Sequence, residues 1–301
     1  MDGLLITILI VTGFLVYKMI SSSRKQEGYK RWKATGSGDT ANEETAGNKW
    51  KHGAWLRHAL GVTTPKARTY PVFDEEAVVW CAGLLGVEAV RLKEILQDVS
   101  SHYREFWIRK RKGGYRMISA PDKELKSIQD TIYHRILLPV NVHPVATGFR
   151  RQHSIVDNVR PHLGKRCVLK TDIHDFFLSI RSPRVKQTFE NIGYPKNISK
   201  VLGELCCRRR HLPQGASTSP ALSNIIAYEM DRKLAAMAEE FGLAYTRYAD
   251  DLTFSGDVFP KEQVLVRVKE IIREEKFEPN HEKTRFLNEY DRKIIRSEEH
   301  T

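Results

Sequence analysis

Two adjacent carboxylates, Asp250 and Asp251, constrain the fold of this chain more than any other feature. They interrupt a run of residues typical of β-structure, from Ala244 to Gly256. Because neighbouring side chains of a strand point to opposite faces, we expect such a pair at the tip of a tight hairpin. Two carboxylates crowded there repel each other unless a cation lies between them, and Mg²⁺ suits that position. An isolated Asp-Asp pair is more often a solvated turn, so the interpretation requires a second acidic site.

A second acidic site lies upstream, at Asp172. The apolar residues Val168 and Leu169 predict a buried strand that ends at this aspartate, although an ordinary capping Asp would give the same pattern. Between the two acidic sites, residues 212–219 form a loop of small residues. A helix is predicted to follow from Pro220 to Phe241, because proline suits a first helical turn. Such a loop lets the backbone and a substrate base come close together.

A strand ending in Asp, a small-residue loop opening a helix, and an Asp-Asp hairpin follow one another in the order of polymerase palm motifs A, B and C. In this chain they read Asp-Ile-His-Asp-Phe-Phe, Leu-Pro-Gln-Gly-Ala-Ser-Thr-Ser-Pro and Tyr-Ala-Asp-Asp. The chain therefore resembles the reverse transcriptase family, and specifically the bacterial retron type. The resemblance implies an α+β fold, with the fingers and palm of a right-hand polymerase and a ferredoxin-like palm sheet.

The resemblance also implies a domain organisation. We expect an N-terminal helical extension at 50–100, fingers at 101–165 and a palm at 166–295 that carries motifs A to D. In the fingers, Gly113 and Gly114 predict a hairpin, since glycine supplies the positive φ angles of a tight turn.

The activity implied by the resemblance is template-directed addition of deoxynucleotides to a primer 3′ end, supported by two Mg²⁺ ions. The expected ligands are Asp172, Asp250, Asp251 and the backbone carbonyl of Ile173. Lys283 lies in a segment similar to motif D, 280–284, and would be the general acid that protonates the pyrophosphate leaving group. The alternative for Lys283 is a surface ion pair with Glu282.

Further residues receive roles from the same resemblance. Those expected at the incoming nucleotide are Arg116, Ile173, Asp175, Phe177, Gln214, Gly215 and Ala216. Phe177 would exclude a ribose 2′-hydroxyl, and the alternative is that Phe177 is a core aromatic. Phe176 is expected to be a core aromatic. Asp175 could equally be a helix cap. Those expected on nucleic acid are Arg109, Lys110, Lys112, Arg150, Arg151, Asn158 and His162. The last two belong to a segment similar to the retron-specific Asn-Ala-x-x-His element, with Val159 in place of Ala.

The expected partners are deoxynucleotides, a structured noncoding RNA as template and primer, the complementary DNA product and an effector protein, in a phage-defence setting. Three alternatives remain open. One is a group II intron-type reverse transcriptase, and another is an RNA-templated RNA polymerase, which more often carries Gly before Asp-Asp. The third is a non-catalytic nucleic-acid-binding or membrane-signalling component that keeps a palm fold.

Composition agrees with a phosphate-rich partner. The 301-residue chain has a net charge of +12 and a pI near 9.5, which favours salt-dependent binding to nucleic acid. Its four cysteines show no CxxC spacing, so we expect neither a zinc site nor a disulfide framework, and a reducing compartment.

Both ends of the chain depart from the family pattern. Residues 1–20 predict a transmembrane helix, because residues 4–20 are nearly all apolar. The cations that follow this segment favour a cytoplasmic location for the catalytic domain. The alternative is a misassigned start codon and a cytoplasmic protein. Residues 21–49 predict a flexible linker. The expected thumb is missing after the palm, and we interpret residues 296–301, Arg-Ser-Glu-Glu-His-Thr, as a sequence artefact.

Overall fold

The computed structural model describes residues 72–110 and 113–291. The chain divides after Thr69 into two units, and the described residues belong to the second. The predicted membrane helix and linker, the first part of the helical extension, Lys112 and the C-terminal hexapeptide lie outside the described residues. Within the described ranges, no helix has both the length and the apolar character needed to cross a membrane.

The described chain mixes helices with two antiparallel sheets, as the α+β prediction expects. The α-helices are Glu75–Leu85, Ala89–Gln97, Lys123–Ile132, Ile155–Val159, Phe176–Ser179, Ser182–Ile192, Lys196–Leu205, Ser219–Ile226, Tyr228–Glu240 and Lys261–Glu274. Short turns of other helix types are Val99–His102, Tyr133–Leu137 and Arg160–His162. The strands are β1 (Tyr103–Arg109), β2 (Tyr115–Pro121), β3 (Cys167–Asp172), β4 (Ala244–Tyr248), β5 (Asp251–Gly256) and β6 (Arg285–Leu287).

The helical extension begins at a capped helix. Asp74 Oδ1 accepts a hydrogen bond from the Ala77 amide at 2.9 Å, and Gly86 ends the helix in the left-handed conformation with φ of 71°. The second helix buries Leu92 and Ile95 completely against the main core. The described part of the predicted helical extension is thus helical, as two helices and a short turn.

The fingers contain the predicted hairpin. Strands β1 and β2 pair along their whole length, from Tyr103 opposite Pro121 to Arg109 opposite Tyr115. Gly113 and Gly114 have φ angles of 93° and 80°, as the glycine pair predicts. The connection covers residues 110–114, so it is longer than the two-residue turn expected from the sequence.

The palm sheet has the strand order β4-β5-β3-β6, with every pair antiparallel. In chain order this is 2-3-1-4, the arrangement of a ferredoxin-like sheet. Val168 and Leu169 of the central strand β3 are fully buried, as predicted. The helix predicted from Pro220 to Phe241 is interrupted, because ψ of Ala227 is 1° rather than a helical value near −42°.

Candidate active site

The sheet brings the two acidic segments together. Strands β3 and β5 pair so that Asp172 lies directly opposite Asp251. The Ile173 amide also donates to the Asp250 carbonyl at 3.0 Å. Asp172 and the Asp250-Asp251 pair therefore lie at the same end of the two central strands, where the sequence predicts a cation site.

The tip of the Asp-Asp hairpin, Tyr248–Asp251, is tightly held. Tyr248 pairs with Asp251, so the turn consists of Ala249 and Asp250. Ala249 is 1% exposed and has φ of 58°, a left-handed conformation that is costly for a residue with a Cβ atom. Gly148 packs against this turn, and a Cβ atom at residue 148 would lie 2.8 Å from the Ala249 nitrogen. Only glycine at residue 148 allows so close an approach.

Asp172 is a buried carboxylate with two side-chain donors. It is 3% exposed, and its two oxygens accept from Asn280 Nδ2 and Lys283 Nζ, each at 3.0 Å. Burial and, to a smaller extent, the nearby charge of Asp250 raise the pKa of Asp172 to about 6, although Lys283 opposes the rise. The site thus concentrates negative charge that a single lysine offsets only in part.

Lys283 reaches the acidic site from the turn before β6. Its side chain is half exposed, and its Nζ forms an ion pair with Asp172. The Asn280 amide donates to the Asp172 carbonyl at 2.7 Å, so the backbone of this turn is fastened to the end of β3. Lys283 therefore pairs with the predicted metal ligand Asp172, and its role as a proton donor stays a prediction.

The donor set fits a divalent cation. Among residues 72–110 and 113–291, no group of three or more His, Cys, Asp or Glu side chains forms a ready-made metal site. The ligand chemistry still suits Mg²⁺, because Asp172, Asp250 and Asp251 supply only carboxylate oxygens. Burial and then the charge of Asp250 raise the pKa of Asp172, and a bound divalent cation would favour the ionised carboxylate against both effects.

The small-residue loop of motif B joins the fingers to the palm. The Gln214 carbonyl accepts from the Ser119 amide of β2 at 2.7 Å. Gly215 has φ of 121°, and a Cβ atom there would lie 2.8 Å from the Ser119 oxygen, so glycine is required. Gln214 is half-buried and Gly215 exposed, whereas Ala216 is only 4% exposed. The Ala216 side chain is packed in the core, so it offers little surface to an incoming nucleotide.

The two phenylalanines of motif A have different surroundings. Phe176 is 3% exposed and packs on Phe277 with ring centroids 5.5 Å apart, as expected of a core aromatic. Phe177 is half-buried, and its ring lies 5.9 Å from that of Phe149, which in turn lies 6.3 Å from Tyr248. Phe177 thus belongs to an aromatic group beside the Asp-Asp hairpin, and its role as a steric gate stays a prediction.

Asp175 lies exposed between the end of β3 and the short helix Phe176–Ser179. It has φ of 46° and lies 3.5 Å from His174 Nδ1. Although Asp175 occupies the N-cap position of that helix, its side chain makes no capping hydrogen bond. The exposed carboxylate leaves the predicted contact with the nucleotide sterically possible.

The predicted cationic contacts occupy different settings. Arg109 and Lys110 are exposed at the far end of the fingers hairpin, and Arg116 is half-buried on β2 opposite Ile108. Arg150 donates to the carbonyls of residues 144 and 146, at 3.4 and 3.3 Å, while Arg151 is exposed. Their contact with nucleic acid stays a prediction.

Asn158 and His162 cannot contact nucleic acid in this structure, and that prediction is wrong. Both are 2% exposed. The two ring nitrogens of His162 lie 2.7 Å from the hydroxyls of Ser255 and Thr246, and Thr246 also donates to the Asn158 carbonyl at 3.1 Å. Burial lowers the pKa of His162 to about 4, so the ring is neutral. The Asn-x-x-x-His segment therefore packs against β4 and β5 and forms hydrogen bonds with both strands.

Two residues beside the hairpin, Gly148 and Arg247, were not predicted from the sequence, and their sequence signals differ in strength. Gly148 is one of many glycines, and nothing local marks its contact with the hairpin. Arg247 carries a better signal, because a cation within the β-pattern before Tyr-Ala-Asp-Asp demands a buried partner.

Comparison with known proteins establishes the family. Residues 108–296 match the family described as "Reverse transcriptase (RNA-dependent DNA polymerase)". This match covers more than half of the chain, which therefore belongs to the reverse transcriptase family.

The curated relatives are of the retron type, as the motif resemblance predicted. The chain is 39% identical over 203 residues to the Retron Mx65 reverse transcriptase of Myxococcus xanthus, covering 61% of this chain and 48% of that protein. It is 37% identical over 179 residues to the Retron Ec86 reverse transcriptase of Escherichia coli, covering 59% and 55%. With the Retron Mx162 reverse transcriptase of Myxococcus xanthus it shares 31% over 306 residues, covering 90% and 62%. The chain thus spans about half the length of the first two relatives.

Among solved structures, apo telomerase from Candida tropicalis aligns with a TM-score of 0.45 and 16% identity, covering 65% of this chain and 52% of that one. This likeness is too distant to carry an argument about function.

Proposed function

We propose that this chain is a retron-type RNA-directed DNA polymerase. The observation that carries the proposal is the meeting of Asp172 with the Asp-Asp hairpin, through the strand pair of β3 and β5. A non-catalytic palm scaffold has no need of three carboxylates in one place. Family membership and the retron relatives support the same activity.

The proposed ligands for divalent cations are Asp172, Asp250 and Asp251, with the Ile173 carbonyl as a further oxygen. The chemistry that two bound Mg²⁺ ions supply in such a site is activation of the primer 3′-hydroxyl and neutralisation of the triphosphate. Other residues of this chain would bind the primer and the nucleotide next to these ions. Lys283, 3.0 Å from Asp172, would carry the proton that the pyrophosphate leaving group takes up.

Selection of deoxynucleotides is proposed to lie with Phe177. Its ring is half-buried against the aromatic residues beside the hairpin, so it cannot easily move away from a sugar placed there. Gln214 and Gly215 would form the floor on which the nucleotide and template meet, since the loop is fastened to β2. Arg116, on the same strand as Ser119, would contact the triphosphate.

The proposed template and primer are a structured noncoding RNA. The fingers present Arg109 and Lys110 on the surface, and Arg150 and Arg151 lie near the motif B helix, which suits a phosphate backbone. Because the chain resembles retron enzymes, we also propose a DNA product, an effector protein as partner and a role in phage defence. Sequencing the RNA and DNA that copurify with the full chain, with a mock purification as control, would test the partner; recovery of no enriched structured RNA would contradict it.

A membrane location is the last part of the proposal. The apolar residues 4–20 would anchor a catalytic domain on the cytoplasmic side. Alkaline extraction of membranes that contain the full chain, or a variant lacking residues 1–20, tests it. We expect the full chain to remain in the membrane pellet and the shortened chain to be released; release of both contradicts the anchor.

The proposed activity is tested by primer extension on an RNA template with the full chain and Mg²⁺. We expect extension with deoxynucleotides and much less with ribonucleotides. The variant with both Asp250→Ala and Asp251→Ala should bind RNA as tightly as wild type and extend no primer. Asp257→Ala is the matched control, because this exposed carboxylate lies just beyond β5 and pairs with Lys165. Extension by the double variant would refute the proposed function.

A further inference from the structure

A fully buried ion pair lies directly behind the Asp-Asp hairpin. Arg247 of β4 donates through Nε and Nη2 to the two carboxylate oxygens of Asp231, at 2.8 and 2.6 Å. Both side chains have no exposed surface. Burying two charges is costly, and apolar residues of similar size often serve a core equally well. The pair therefore calls for an explanation other than stability.

The remaining nitrogen of Arg247 supplies that explanation. Nη1 donates to the Ala249 carbonyl at 2.9 Å. This carbonyl belongs to the peptide that joins Ala249 to Asp250, and Ala249 is the residue held in the left-handed conformation. The hydrogen bond thus fixes the orientation of the peptide plane from which the Asp250 side chain leaves the backbone.

Arg247 is itself held by its backbone as well as by its side chain. The Arg247 amide donates to the Val145 carbonyl at 2.8 Å, and the Arg247 carbonyl accepts from the Thr147 amide at 2.8 Å. Tyr245 also donates its hydroxyl to Asp231 at 3.0 Å, but Arg247 alone bonds both oxygens of that carboxylate. The two bonds to Asp231 and the two backbone bonds leave the Arg247 side chain little freedom to release the hairpin.

We propose that Arg247 is a positioning residue for DNA synthesis. It holds the Ala249 carbonyl, and through it the Asp250 carboxylate, in the arrangement that accepts a divalent cation, and Asp231 orients the guanidinium for this task. The inference rests on the proposed function, since it assigns Asp250 to the metal site. It adds a residue that touches neither substrate nor metal.

The test compares Arg247→Lys with Tyr245→Phe. Lysine keeps a cation beside Asp231, but one ammonium group cannot bond both Asp231 oxygens and the Ala249 carbonyl. We expect its kcat for primer extension to fall at least ten-fold and its half-saturating Mg²⁺ concentration to rise, with KM for the primer-template unchanged. Tyr245→Phe removes a hydrogen bond from the same carboxylate and leaves the Ala249 contact, so its kcat and Mg²⁺ dependence should stay within two-fold of wild type.

A readout independent of activity is Mn²⁺ binding to the full chain, followed by electron paramagnetic resonance. We expect weaker Mn²⁺ binding by Arg247→Lys than by wild type or Tyr245→Phe, with similar circular dichroism for all three. If Arg247→Lys does not fold, the apolar pair Arg247→Met with Asp231→Leu takes its place, and the same losses are expected.

The outcomes separate the inference from the function on which it rests. Wild-type kcat and Mn²⁺ binding in Arg247→Lys, or in the apolar pair, would overturn the inference, as would an equal loss in Tyr245→Phe. An inactive wild-type chain would instead refute the proposed function. Mn²⁺ binding would in that case still decide whether Arg247 positions the acidic hairpin.

Discussion

Replacing Asp172 with Asn is expected to stabilise the metal-free protein while it abolishes DNA synthesis. Burial and the charge of Asp250 raise the pKa of Asp172 from an ordinary value of 3.8 to about 6. A carboxyl group whose pKa is higher in the folded than in the unfolded state binds more protons when folded. Stability therefore falls as the pH rises from about 4 to about 6 and stays reduced above that range. Asparagine is never charged, so the variant avoids this loss.

The structure sets the size of the effect. The rise in the pKa corresponds to about 3 kcal/mol of unfolding free energy at neutral pH, at about 1.36 kcal/mol for each pH unit. The asparagine side chain can accept from only one of the two donors, Asn280 and Lys283, which removes about 1.5 kcal/mol. We expect a net stabilisation of about 1.5 kcal/mol at pH 8, or a melting temperature about 3–6 °C higher.

The assay is unfolding by urea in EDTA from pH 4 to pH 8. The difference between Asp172→Asn and wild type should be smallest near pH 4 and reach its full size above pH 6. Asp257→Asn is the control, because hydrogen bonding to the Arg166 amide and to Lys165 lowers the pKa of Asp257. Its replacement should not stabilise the protein at pH 8. A lower stability of Asp172→Asn than of wild type at pH 8 in EDTA would refute the reasoning.

Three further substitutions probe the site. Gly148→Ala should lower kcat at least ten-fold, because the added Cβ atom would lie 2.8 Å from the Ala249 nitrogen. The control Gly83→Ala should leave kcat unchanged, because nothing lies within 4 Å of a Cβ atom there. Equal kcat values for the two variants would contradict the packing argument. Phe177→Ala should raise incorporation of ribonucleotides relative to deoxynucleotides, while Phe176→Ala should mainly lower stability, by about 3–5 kcal/mol; an unchanged incorporation ratio in Phe177→Ala would exclude it as the gate. Lys283→Met should slow single-turnover extension by about 10²-fold or more, with partial recovery in Lys283→Arg, and an unaffected rate would rule out the proton-donor role.

The parts of the site that could be predicted from sequence are those encoded by local patterns. The apolar residues Val168 and Leu169 predict the strand that ends at Asp172, and Asp250-Asp251 within a β-pattern predicts a hairpin. The order of the motifs then implies which strands pair. The Gly113-Gly114 pair similarly predicts positive φ angles, because few residues other than glycine adopt them easily.

The parts that could not be predicted depend on contacts between distant segments. Asn158 and Thr246 are 88 residues apart, and only the packed structure shows that the polar Asn-x-x-x-His segment lies under β4. A buried polar group with satisfied hydrogen bonds has the same sequence signature as an exposed binding residue. Ala216 presents the reverse difficulty, since a small residue in a loop carries no sign of its burial. Arg247 shows that a cation within a predicted strand can instead support the residues beside it.

The central claim is that Asp172 and the Asp-Asp hairpin hold divalent cations together. Anomalous diffraction from crystals of the full chain soaked with Mn²⁺ and a deoxynucleoside triphosphate tests it most directly. The account predicts Mn²⁺ within bonding distance, about 2.0–2.3 Å, of carboxylate oxygens from both β3 and the hairpin, with the triphosphate on the same ions. Mn²⁺ bound elsewhere, or bound to the hairpin without Asp172, would contradict the account.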